Sequence, residues 1–189
     1  HMLMSLTWDF LFQVKITLYH SSDFNSSHTP SINKIFCKLI FLKKRTWNNP
    51  EFNCQYDGVV YAVFVSLGFA LWENINYVLS YGFSTAIVRA ITAIPGHACF
   101  GVFMGVFYGL ARKQYNRGKK FSSKIFRIFS VVLPVLLHGS YDFIASMENT
   151  MGGLYFVAFV IILFALSFGL VNISSKNDKY IWYRKHQHI

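Results

Sequence analysis

The chain has 189 residues, a formal net charge of +10, 53% hydrophobic residues and only 14% charged ones. Soluble domains carry about a quarter charged residues, and the mean hydropathy here is +0.35. Together these exclude an ordinary soluble enzyme. The positive charge does not indicate nucleic acid, because the basic residues sit in short segments between apolar blocks and not on one soluble face. That is the pattern of membrane topology signals and anionic-lipid contacts.

The expected fold is all-α: a polytopic transmembrane helix bundle with at least four spanning helices. Residues 1–35 form an atypical, poorly defined N-terminal segment. Its apolar stretch Leu3–Tyr19 is short and carries Asp9 and Lys15, and a polar loop follows. No cleavable leader is evident. Residues 34–56 pair a short apolar run with Lys43, Lys44 and Arg45, as at the cytoplasmic end of a membrane segment. A bundle over 36–175 then contains spans at about 58–81, 87–111, 128–147 and 151–173, the second with a non-spanning lead-in before Pro95. Residues 176–189 read as a basic cytoplasmic tail. The odd set Cys37, Cys54 and Cys99 implies neither a disulfide framework nor a metal-spaced pair.

Of the 18 lysines and arginines, five lie in 34–45, seven in 112–127 and four in 176–185. In an alternating four-span arrangement all of these share one side, which the positive-inside rule makes cytoplasmic. Only Lys15 and Arg89 fall elsewhere.

The chemistry lies inside the apolar blocks. Glu73 sits deep in DGVVYAVFVSLGFALWENINY beside Asn74, with Phe69 one turn earlier on its face. An intramembrane charge is costly and by default marks a working site. At about 1.5 Å per residue from the cytoplasmic ends, Glu73 and His97 lie roughly 22 Å up, His138 near 15 Å and Asp142 near 21 Å. His138 and Asp142 are four apart and share a helix face. Gly101, Gly105 and Gly109 follow His97 at four-residue steps, a small-residue seam that turns His97 inward. Packing alone explains any one of these. Four ionisable groups at one depth on three helices point to a buried site.

These pieces, with RAITAIPGHACFGVFMGVFYGLA and LPVLLHGSYDF, resemble the PrsW family of intramembrane proteases, which is distantly similar to the CAAX-processing membrane endopeptidases. The resemblance covers roughly residues 36–147. It assigns Phe69 and Glu73 to an F-x-x-x-E motif, His97 to an intramembrane histidine, and His138 and Asp142 to an H-x-x-x-D motif. It implies hydrolysis of a single-pass membrane substrate such as an anti-sigma factor, in a bacterial cell membrane. Glu73, His97, His138 and Asp142 would be catalytic, supported by Phe69, Asn74 and Lys38. The mechanism is either a glutamate-activated water or a divalent metal such as zinc held by those same four side chains.

One motif departs. The family's E-E-x-x-K aligns its lysine on Lys38, which puts its two glutamates on Lys34 and Ile35; no E-E pair occurs in the chain. A truncated or frame-altered member, a pseudoprotease, or an enzyme using Glu73 alone would each show this, and impaired hydrolysis is the expectation. From other classes, His97 and His138 could ligate a metal or haem in a non-enzymatic protein, and Glu73 with Asp142 could relay protons in a carrier.

Overall fold

A computed structural model describes residues 31–147 and 150–181. Five helices follow one another: α1 Ser31–Thr46, α2 Asp57–Tyr81, α3 Phe83–Asn116, α4 Lys120–Ala145 and α5 Thr150–Lys176. The apolar stretch Leu3–Tyr19 and the end of the basic tail lie outside the described residues. Four helices are long and apolar enough to cross a membrane: α2, α3 from Ala86, α4, and α5 from Met151. All described elements are helical apart from an isolated bridge between Cys54 and Tyr180, in keeping with the all-α bundle read from the sequence.

The helices differ in two places from the sequence expectation. α3 runs unbroken through Pro95, so there is no separate lead-in. Neighbouring helices in a bundle compensate a proline's lost hydrogen bond, and α3 packs on α2, α4 and α5. The link from α2 to α3 is also shorter than expected. Gly82 alone reverses the chain at φ +87°, its N–H donating to the Val78 carbonyl at 2.8 Å. Only glycine adopts that conformation without a steric cost.

α3 is the central element because its glycines let α2 approach backbone to backbone. A Cβ on Gly101 would lie 2.9 Å from Val63 Cα, and one on Gly58 2.8 Å from Gly109 Cα. Toward the basic ends of the helices, Phe52 stacks on Tyr108 with ring centroids 5.4 Å apart, and Trp47 meets Tyr108 edge-on at the same distance. The Arg112 and Arg127 guanidinium groups lie 5.4 and 5.2 Å from the Trp47 ring. There the chain is also closed on itself, with Ile181 N–H donating to the Asn53 carbonyl at 2.6 Å and Tyr56 N–H to Asp178 Oδ1 at 3.0 Å. A second core joins α3 and α5 through Cys99, Phe100, Phe103 and Leu163, with Leu133 and Leu137 of α4 packed against it; Cys99 is a buried packing residue with a free thiol. The outer face of α5, with Leu154, Ile161, Ile162 and Phe168, is exposed, as a lipid-facing surface requires.

The seam yields a test. Gly101→Leu forces α2 away from α3 and is expected to lower stability by about 1–3 kcal/mol. Gly153→Ala, where nothing lies within 4 Å of the added methyl, is expected to leave the melting temperature of the detergent-solubilised protein unchanged.

Candidate active site

Glu73 projects from α2 toward the seam between α1 and α3 and is 8% exposed. Its carboxylate is fully engaged. Lys34 Nζ lies 2.5 Å from Oε1; Arg89 Nη2 and His97 Nε2 lie 3.2 and 3.0 Å from Oε2. Placing so many donors on one carboxylate answers the cost of holding a charge in an apolar bundle.

His97, on α3, is itself bonded at both nitrogens. Lys38 Nζ, fully buried on α1, lies 2.9 Å from Nδ1. A carboxylate only accepts hydrogen bonds, so Nε2 carries the proton that faces Glu73. A neutral ring then leaves Nδ1 as the acceptor for the Lys38 ammonium. Lys38 also lies 5.7 Å from the centre of the Phe69 ring, which gives Phe69 its place beside the site.

His138 comes from α4. Its ring centroid is 5.1 Å from that of His97, and Phe100 stacks against it at 4.9 Å. Its Nδ1 is buried without a hydrogen-bond partner among the described residues. Asp142 lies one turn further along, half exposed, with Oδ2 3.7 Å from His138 Nε2. It stands at the rim, not in the packed centre. Asn74, expected to support the site, has a buried Oδ1 with no hydrogen-bond partner among the described residues.

Glu73, His97 and His138 therefore meet at one level from three helices, with Asp142 at its edge. Lys38, assigned to the site by the family resemblance, reaches the centre through His97. Sequence reasoning missed two members, Lys34 and Arg89. Lys34 falls among the cytoplasmic charges by sequence, yet bonds Glu73 directly. Arg89, the odd one out in the charge count, binds Glu73 and lies 3.6 Å from the Tyr77 ring centre. Its signal was available: a cation in an apolar span implies a partner.

The family profile described as PrsW family intramembrane metalloprotease matches residues 3–166. This chain belongs to that family. Among its relatives, the protease PrsW of Halalkalibacterium halodurans is 33% identical over 144 residues, covering 76% of this chain and 65% of the relative. That of Bacillus subtilis is 40% identical over 109 residues, or 58% and 48%. That of Clostridioides difficile is 30% identical over 150 residues, or 77% and 62%. The chain thus spans about half to two thirds of the length of the curated relatives it matches. No solved structure matches it.

The family description implies a metal, and the centre does not fit one. Among the described residues no three His, Cys, Asp or Glu side chains are arranged to hold an ion. Glu73 and His97 already direct their lone pairs at protein N–H groups. Nor is there room for a porphyrin between His97 and His138, whose rings pack against each other and against Phe100. The haem-binding alternative has no support here.

The Lys38–His97 contact generates a prediction. Removing the ring in His97→Ala strands a buried ammonium and is expected to cost about 3 kcal/mol. Adding Lys38→Met in the same chain should recover most of that loss in thermal unfolding, a coupling that an independent pair would not give.

Proposed function

We propose that the chain forms the membrane-embedded centre of a PrsW-type intramembrane peptidase, hydrolysing a peptide bond of a single-pass membrane protein such as an anti-sigma factor. The observation that carries this reading is the meeting of Glu73, His97 and His138, from three separate helices, at one buried level. Packing alone does not require such a meeting.

In this reading Glu73 takes a proton from water as the oxygen attacks the peptide carbonyl. The buried cations Lys38 and Arg89 stabilise the oxyanion, and the proton then passes to the leaving amine as the C–N bond breaks. His97, held with its Nε2 proton toward Glu73, orients the carboxylate. His138, buried beside His97, and Asp142, at the rim, position the substrate and carry protons outward. Lys34 sits on Glu73 Oε1, at the position where the family motif carries a glutamate. Water reaches that oxygen only when Lys34 withdraws, so hydrolysis is slow.

The chain is proposed to lie in a bacterial cell membrane, with its basic segments and C-terminus cytoplasmic and anionic lipid against them. A C-terminal fluorescent-protein fusion is expected to be bright, and an alkaline phosphatase fusion at the same point inactive.

Cleavage is tested with a tagged single-pass substrate in proteoliposomes. Slow turnover is expected, falling by about 10²–10⁴-fold in Glu73→Gln and rising about tenfold in Lys34→Met, equivalent to about 1.4 kcal/mol of barrier. Absence of cleavage by both the unaltered protein and Lys34→Met sinks the hydrolytic reading, as does turnover indifferent to Glu73→Gln.

A further inference from the structure

We infer that the ammonium groups of Lys34 and Lys38 stand in for a divalent metal at the Glu73–His97 centre, so that this chain holds the two side chains together with its own α1 and binds no metal there. The inference rests on the same centre as the proposed function but concerns its occupant, not its turnover.

A divalent ion at this site would need the lone pairs of a carboxylate oxygen and an imidazole nitrogen. Lys34 Nζ lies on Glu73 Oε1 and Lys38 Nζ on His97 Nδ1. With Oε2 and Nε2 already joined to each other, neither side chain is left with an open acceptor atom for an ion. Two ammonium charges equal the charge of one dication. A metal added to the pair would therefore place like charges within a few ångströms in a medium that screens them poorly.

The lysines are fixed rather than trailing. They are four residues apart on one face of α1, and α1 is anchored by Ile35 and Leu42, both fully buried in the core. Lys38 is fully enclosed, and Lys34 is largely so. The remaining donors do not make a second site. His138 offers a single unpartnered nitrogen, and the half-exposed Asp142 faces its other one.

The full chain, purified from zinc-supplemented medium in detergent, is tested by elemental analysis and by thermal unfolding with and without zinc chloride. The unaltered protein is expected to carry no stoichiometric metal and to show no zinc-dependent shift. The Lys34→Met/Lys38→Met protein is expected to take up zinc weakly, with Glu73 or His97 as protein ligand and water completing the coordination. Its melting temperature should rise with zinc concentration, and Glu73→Gln together with His97→Ala in that background should abolish the rise. If the double variant does not fold by circular dichroism, Lys34→Met alone is titrated with cobalt(II), whose visible absorption reports nitrogen and oxygen ligation. Stoichiometric metal in the unaltered protein that disappears in His97→Ala overturns the inference. So does a folded double variant, or a folded Lys34→Met protein, that ignores the added metal. Neither measurement involves a substrate, so its failure leaves the cleavage reading standing, and the reverse holds.

Discussion

A single carboxylate inside hydrocarbon sets the terms for the rest of this bundle. Glu73 stays charged only if cations are brought to it, and they come from different helices: Lys34 on α1, Arg89 on α3, with the His97 N–H beside them. The short helix α1, too polar to span alone, is drawn into the bundle by that demand and by burial of Ile35 and Leu42. The same demand explains why α2 and α3 are so closely apposed. Residues 16 positions apart, Glu73 and Arg89, come level only because Gly82 turns the chain back at once.

The bundle itself was legible in the sequence. Hydropathy and the spacing of apolar blocks located four spans, and the glycine ladder after His97 indicated which face of α3 meets a neighbour. Rise per residue puts Glu73 and His97 at the same depth, because straight helices convert sequence distance into depth. It puts His138 about a turn lower, whereas the His138 ring packs against that of His97.

Other features were not legible, for physical reasons. Nothing local to α1 says that Lys34 reaches a carboxylate on another helix, and Lys38, which meets the His97 ring, is assigned to the site by the family resemblance alone. Arg89 was treated as an exception to a charge count, although an intramembrane guanidinium implies a partner. Rise per residue puts Asp142 level with Glu73 and His97, and neither it nor helix-face arguments reveal that Asp142 ends at the rim, half exposed. The break expected at Pro95 failed because a proline's local effect is overridden where a helix is held along its length by neighbours.

The one-residue reversal at Gly82, together with bare backbone touching along Gly58, Gly101 and Gly109, makes α2 and α3 a single stiff blade. Blades of this kind do not part to admit a guest. Any opening of the bundle around His138 would therefore come where α1, α4 or α5 meets that blade, not along the blade itself.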